Sequence, residues 1–158
     1  MWFEDVVVGT RTDLGTYTFT AGEIIRFAAK YDPQAFHLSV KGGEDSVFGG
    51  LIASGWHTVS VWMKLVVARR AEFEDSGGMR AGVSPGFENL RWVRPVYAGM
   101  TLRYSMQTIA KVELKSRPEF GLVKSLNEAR DAKDGALVMQ FTGKGFMPRK
   151  PNPSAGSG

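Results

Sequence analysis

Residues 54–73 read SGWHTVSVWMKLVVARRAEF, and this stretch decides the fold. After Gly55 it contains neither glycine nor proline, and it is long enough for about five helical turns. Apolar side chains cover most of the circumference, a pattern typical of a helix surrounded by other structure. We therefore expect a buried central helix, with Trp56 and Trp62 in the core. The narrow polar stripe that remains consists of His57, Ser60 and Lys64.

The chain beyond this helix alternates apolar and polar residues with the period of β-strands. The clearest case is residues 101–113, where only Ile109 interrupts the polar side. Further strands are predicted over residues 14–20, 87–94, 120–130 and 136–146, with a hairpin loop over 131–135. One buried helix combined with antiparallel strands indicates an α+β fold, in which a curved sheet wraps around the helix.

A short helix is predicted before the central one, over residues 21–30. Thr20 and Glu23 form a capping-box pattern at its start, and Asp32 ends it because a proline follows. The run from Asp32 to His37 therefore lies in a loop just past the helix. Asp and His are the side chains most often used to move protons near neutral pH, and a turn between them lets both point into one cleft. Asp32 and His37 are thus a candidate acid–base pair.

Length and composition limit the class of protein. The 158 residues are most simply one domain over residues 1–147, followed by a flexible Pro-, Ser- and Gly-containing tail over 148–158. Hydrophobic residues make up 43% and charged residues 23%, as in ordinary soluble globular proteins. No apolar run approaches the ~20 residues that span a bilayer. The acidic N-terminus lacks the basic start of a secretory signal, so we expect a cytoplasmic protein without a membrane partner.

Charge and cysteine content exclude several kinds of site. The sequence has no cysteine and 2 His, which leaves too few ligands for a structural zinc site, and we expect no metal. The net charge of +4 is spread along the chain without the Lys/Arg cluster that marks a nucleic-acid surface. The positive charge is either an ordinary solvated surface or an attraction for an anionic ligand.

Short motifs follow one another in a specific order along the chain. Asp32 and His37 come first, then Phe48-Gly49, then Ser54-Gly55 at the start of the central helix, and then LRWVRPV over residues 90–96 with Ala98-Gly99 after it. This order resembles the MaoC-like dehydratases, also called the (R)-specific enoyl-CoA hydratase family, over about residues 1–147. Three positions depart from the family pattern, which usually has Asn at Gln34, Pro at Ala35 and Asp at Met100. The resemblance implies the hot-dog fold, a curved antiparallel sheet around a long central helix.

The resemblance also implies a lyase of fatty acid metabolism, which adds or removes water across the 2,3-bond of an acyl thioester. The expected substrates are an enoyl-CoA, a 3-hydroxyacyl-CoA or the corresponding carrier-protein thioester, with coenzyme A as part of the substrate and no separate cofactor. Asp32 and His37 would hold a water and share its proton transfers. The backbone N–H of Gly55, at the positive end of the helix, would donate to the thioester oxygen. The expected substrate-binding residues are Gln34, Phe48, Gly49, Ser54 and His57.

Alternatives remain open for both the residues and the function. Asp32 can be a helix-terminating turn, His37 a loop residue packed on Phe36, and His57 a neutral core histidine. Arg91 and Arg94 are either surface residues or contacts to the phosphates of coenzyme A.

A hot-dog thioesterase commonly needs a carboxylate on or facing the central helix, and residues 54–71 contain neither Asp nor Glu. A non-catalytic acyl-binding subunit also stays possible, since Gln34 and Ala35 alter the motif. Hot-dog proteins generally pair their sheets, so the resemblance implies a homodimer or a higher homo-oligomer.

Overall fold

A computed structural model of the protein describes residues 1–74 and 83–151. A 3-10 turn at Phe3–Asp5 is followed by strand β1, Arg11–Thr18. The helices come next and are α1 Ala21–Tyr31, α2 Ala35–Leu38, α3 Val40–Glu44 and α4 Gly55–Glu74. The remaining strands are β2 Gly86–Trp92, β3 Thr101–Glu113, β4 Phe120–Asp131 and β5 Leu137–Pro148.

The strands form one sheet in the order β1-β3-β4-β5-β2, and every neighbouring pair is antiparallel. Helix α4 packs against this sheet, since Val61 and Val66 belong to the same buried cluster as side chains from β3, β4 and β5. The strand side of that cluster comprises Leu14, Leu102, Tyr104, Ala129, Val138, Met139 and Phe141. The predicted α+β arrangement of one long helix against an antiparallel sheet is confirmed.

The element boundaries follow the sequence signals closely. The Glu23 amide donates to the Thr20 hydroxyl at 3.3 Å, so the predicted cap of α1 is confirmed. Strand β3 has the predicted bounds, and its register against β4 shifts between Thr108 and Ala110. This bulge accounts for Ile109, which breaks the alternation because the local pleat is interrupted there.

The expectation that α4 is surrounded on all sides is wrong for the single chain. Trp56 is 50% exposed, Met63 48% and Val67 54%, so one apolar face of the helix is open. Trp56 therefore lies outside the core, against the prediction. His57 does not continue the polar stripe, since it is buried whereas Ser60 and Lys64 are exposed.

The segment leading into α4 is fixed by close backbone packing. A Cβ on Gly43 would lie 2.3 Å from the backbone of Gly50 and Leu51, so α3 rests directly on this segment. On its other side, the Ala53 amide donates to the Val96 carbonyl at 2.8 Å. The position of the first turn of α4 relative to α3 and to the segment after β2 is thereby determined.

The two ends of the described chain lie together. Phe3 packs with Met147 in a small second cluster, and Lys150 pairs with Asp5 at 2.6 Å. Pro148 still belongs to β5, while residues 152–158 of the predicted tail lie outside the described residues, so the predicted domain limits stay a prediction. Within residues 1–74 and 83–151, no helix is both long enough and apolar enough to cross a membrane.

Candidate functional site

Asp32 and His37 are brought together where α1 ends and α2 begins. Asp32 is the C-cap residue of α1, and His37 lies in the single turn of α2 rather than in a loop as predicted. Asp32 Oδ2 lies 3.3 Å from His37 Nε2, with side-chain exposures of 18% and 6%. The helical turn aims the imidazole back towards the carboxylate, so the pair is close and largely shielded from solvent.

The other ring nitrogen fixes the tautomer of His37. Nδ1 lies 2.6 Å from the carbonyl oxygen of Ile52, which can only accept a hydrogen bond, so Nδ1 carries a proton. In the neutral ring Nε2 then presents its lone pair towards the carboxylate of Asp32. Nε2 and the Asp32 carboxylate are then both hydrogen-bond acceptors. One water molecule can satisfy both by donating one hydrogen to each.

Two of the three departures from the family pattern, Gln34 and Ala35, lie here and fit this geometry. Gln34 Nε2 donates to Asp32 Oδ1 at 2.6 Å, so the longer side chain still supplies an amide donor to the carboxylate. Ala35 is the first residue of α2, the helical position that tolerates proline best. An alanine there leaves the turn intact, and the His37 amide closes it onto the Gln34 carbonyl at 2.9 Å.

The Asp32 carboxyl is held in its charged form. Burial raises its pKa, but the hydrogen bond from Gln34, the adjacent Ser54 hydroxyl and the neighbouring His37 together outweigh it, so the pKa lies below its ordinary value. The Ser54 hydroxyl is fully buried beside this carboxylate, and no hydrogen bond from it meets the usual distance and angle limits. The Ser54 hydroxyl can therefore still donate a hydrogen bond next to the Asp32 carboxylate.

The imidazole opens onto a cavity of about 270 Å3 at the start of α4. Gly55, the first residue of α4, lines this cavity, and so do the predicted ligand contact Phe48 and the side chain of Trp92. A Cβ on Gly55 would fall 2.3 Å from the Trp92 ring, so only glycine allows the indole to pack there. Asp32 does not line the cavity itself and is connected to it through His37.

Comparison with known proteins identifies the family. Residues 6–128 match the family model of the MaoC like domain. The chain belongs to the MaoC-like family. The crystal structure of the MaoC-like dehydratase from Rhodospirillum rubrum is 32% identical and superposes with a TM-score of 0.81, over 96% of this chain and 99% of that one.

More distant structures share the fold. The (R)-hydratase from A. caviae involved in PHA biosynthesis is 20% identical, with a TM-score of 0.66 over 93% of this chain and 99% of that one. The HadBC complex from Mycobacterium tuberculosis, a 3R-hydroxyacyl-ACP dehydratase, is 17% identical, with a TM-score of 0.68 over 89% of this chain and 97% of that one. The predicted hot-dog fold is confirmed.

Several predicted ligand contacts of this MaoC-like chain lie outside the cavity. Gly49 is exposed in a turn with φ +67° and does not line the cavity, and neither does Gln34. His57 is buried elsewhere, stacked on Phe27 at 4.7 Å and edge-on to Phe19 at 5.0 Å. Burial lowers the pKa of His57, although Glu23 acts in the opposite direction. The burial of His57 among aromatic rings favours its interpretation as a neutral core histidine rather than a ligand contact.

Three groups at the MaoC-like site were not predicted from the sequence. The Ile52 carbonyl orients His37, Trp92 forms a wall, and Thr58 lines the cavity one turn into α4. Arg94, one of two alternatives for a phosphate contact, also lines the cavity and pairs with Asp134 at 3.6 Å, both side chains being about half exposed. In the described ranges no cluster of three or more His, Cys, Asp or Glu side chains is arranged to hold a metal ion.

Proposed function

We propose that this MaoC-like protein is a hydratase or dehydratase acting on the 2,3-bond of an acyl thioester, with coenzyme A as part of the substrate and no separate cofactor. The observation that carries the proposal is the 3.3 Å distance between Asp32 Oδ2 and His37 Nε2, beside the cavity that Gly55 lines. The named dehydratase and (R)-hydratase structures support the reaction class by analogy.

The proposed mechanism assigns one proton task to each group. A water held between Asp32 Oδ2 and His37 Nε2 loses a proton as its oxygen attacks C3, and C2 receives a proton from the pair. Dehydration runs the same steps in reverse. Because Nδ1 of His37 is anchored on the Ile52 carbonyl, the ring can exchange a proton only through Nε2.

The charge that develops on the thioester oxygen needs a donor. Gly55 is the first residue of the 20-residue helix α4, so its amide has no partner within the helix and lies at the positive end of the helix dipole. A donor placed in advance where negative charge develops is the largest contribution in many acyl-transfer sites. The Arg94 guanidinium at the same cavity is placed to meet an anionic part of the substrate.

The proposed assembly is a homodimer that covers the open face of α4. Trp56, Met63 and Val67 recur at helical spacing on that face, and Phe87 of β2 is exposed as well. The HadBC structure is described as a complex, which supports pairing of hot-dog subunits by analogy. A cytoplasmic location stays a prediction.

The decisive experiment follows the enoyl absorbance of crotonyl-CoA with the purified protein. We expect the absorbance to fall, and we expect Asp32→Asn to lower kcat by about a hundredfold to ten-thousandfold, the usual worth of a general acid–base group. The matched control is Asp45→Asn, since Asp45 is 63% exposed in its side chain and pairs with Lys41 on the surface.

Two outcomes would contradict the proposal. Full activity of Asp32→Asn would exclude the mechanism, and release of free thiol from a saturated acyl-CoA would identify a thioesterase instead.

A further inference from the structure

Two cavities lie next to each other along α4, and two indole rings stand between them. The first, of about 270 Å3, contains His37 and Gly55, and the second has a volume of about 470 Å3. Trp92 lines the first cavity and Trp56 lines the second. Their rings meet edge to face, with centroids 5.2 Å apart and planes at 79°. This pair is called the Trp56–Trp92 partition.

The same strands continue from one cavity to the other. On β2, Trp92 lines the first cavity and Phe87 the second, and on β5 the corresponding residues are Val138 and Phe141. Val138 and Phe141 are three residues apart, which is about 10 Å along a strand, and Phe87 and Trp92 are five residues apart, about 17 Å, so the two spaces are neighbours. The second cavity is mainly apolar, with Trp62, Met106, Phe141 and Phe146 among its walls. An apolar chain that passed the partition would therefore enter a space suited to it.

The Trp92 ring is supported on two sides. Trp56 contacts it edge-on, and the bare Cα of Gly55 lets it lie so close that a Cβ would fall 2.3 Å away. The partition is thus built from the first turn of α4 and the end of β2, the two elements that also bound the proposed reaction site.

We propose that the Trp56–Trp92 partition sets the longest acyl chain that the site accepts. The proposal rests on the proposed function, because it takes the ligand of the first cavity to be an acyl thioester. If each non-hydrogen atom needs roughly the 30 Å3 of a water molecule in the liquid, the first cavity holds about nine such atoms. A six-carbon acyl group with its thioester oxygen and sulfur fits, whereas longer chains meet Trp92.

The test compares enoyl-CoA substrates of four to twelve carbons with wild type, Trp92→Ala and Trp56→Ala. We expect wild type to prefer the shortest chains. In both variants we expect the ratio of kcat/KM for the ten-carbon over the four-carbon substrate to rise at least about tenfold, because each methylene removed from water is worth about fourfold in affinity. Ile109→Ala is the control, since it trims an exposed apolar side chain of β3 that lines neither cavity and should keep the wild-type ratio.

Calorimetric Kd values for saturated acyl-CoAs of the same lengths separate this proposal from the reaction. A chain-length limit in binding that Trp92→Ala removes would support the partition even if wild type hydrates nothing, in which case only the proposed function fails. The partition is excluded if wild type hydrates or binds ten-carbon chains as well as four-carbon ones. It is also excluded if both Trp variants fold, as judged by thermal unfolding, and keep the wild-type ratio.

Discussion

The two histidines of this chain show how position alone decides the chemistry of a side chain. The Nδ1 of His37 is hydrogen-bonded to the Ile52 carbonyl, and its Nε2 faces the Asp32 carboxylate at 3.3 Å. His57 is similarly buried, but its Nδ1 has no hydrogen-bond partner among residues 1–74 and 83–151, and its ring is stacked on Phe27. Only His37 is therefore equipped to exchange a proton with a ligand, and His57 is a buried base held neutral.

The neutral state of His57 predicts a pH dependence of stability. Its folded-state pKa lies below the ordinary value of 6.5, so the unfolded chain binds the proton more readily. The free energy of unfolding should therefore decrease as the pH falls below about 6.5, and it should stop decreasing on this account once the folded form is also protonated. We expect His57→Phe, which keeps a ring against Phe27, to flatten the fall of Tm between pH 7 and 5.

The comparison is clean because the perturbed carboxyls nearby, Asp32 and Glu23, have pKa values below their ordinary values and act in a more acidic range. The pKa of Asp32 is lowered from an ordinary value of 3.8, so its contribution to stability is lost only at more acidic pH. An equally steep fall of Tm in wild type and His57→Phe would show that His57 is not the group responsible.

At this scale the sequence predicted that Asp32 and His37 lie close together, but not what surrounds them. The spacing of Asp32 and His37 across a turn is local information, and local information fixed their contact. Trp92 and the Ile52 carbonyl are far from them in sequence, and their roles arise from packing between separate elements. A carbonyl oxygen carries no side-chain signal at all, so no pattern in the sequence marks Ile52.

The junction of α4 with β2 is the element-scale feature on which the site depends. Gly55 begins the helix, and the Trp92 ring occupies the volume that any side chain at position 55 would need. The absence of a Cβ at position 55 thus has two consequences. It leaves room beside the first amide of the helix, and it lets the Trp92 ring pack as a wall of the cavity.

This packing predicts a strong coupling between the two residues. We expect Gly55→Ala to lower the free energy of unfolding by about 1–3 kcal/mol, because the new methyl group overpacks against the indole. In a Trp92→Ala background the same change should be close to neutral. Denaturant unfolding of the four proteins measures the coupling, and additive effects would contradict the contact. Gly145→Ala serves as the control, since nothing lies within 4 Å of a Cβ there.

Element boundaries were predictable where capping and breaking residues mark them. Thr20 marks the start of α1 and Gly55 the start of α4, and both positions are confirmed. The turn of α2 was missed because four residues, Ala35–Leu38, are too few for a helical period to be recognised.

In the whole molecule, one apolar face of helix α4 is left uncovered by its own chain. The helix is apolar nearly all round, and the sheet of its own chain buries one side only. Trp56 and Val67 remain at least half exposed on the other. The sequence shows that the helix is apolar but cannot show which face its own sheet will leave open, because that depends on how far the sheet reaches around it. An exposed apolar face of this kind is typical of an interaction surface.

A charge on this face should therefore separate the subunits of the proposed homodimer. We expect wild type to scatter light as a dimer at micromolar concentration and Val67→Lys to shift towards the monomer, because burying an unpaired ammonium group is costly. Val40→Lys is the matched control, since Val40 is also a helical valine and is 52% exposed compared with 54% for Val67. Val40 does not belong to the face formed by α4 and β2, so its charge should leave the mass unchanged. A monomeric wild type, or equal masses for wild type and Val67→Lys, would contradict pairing through α4 and would require another explanation for its exposed apolar side chains.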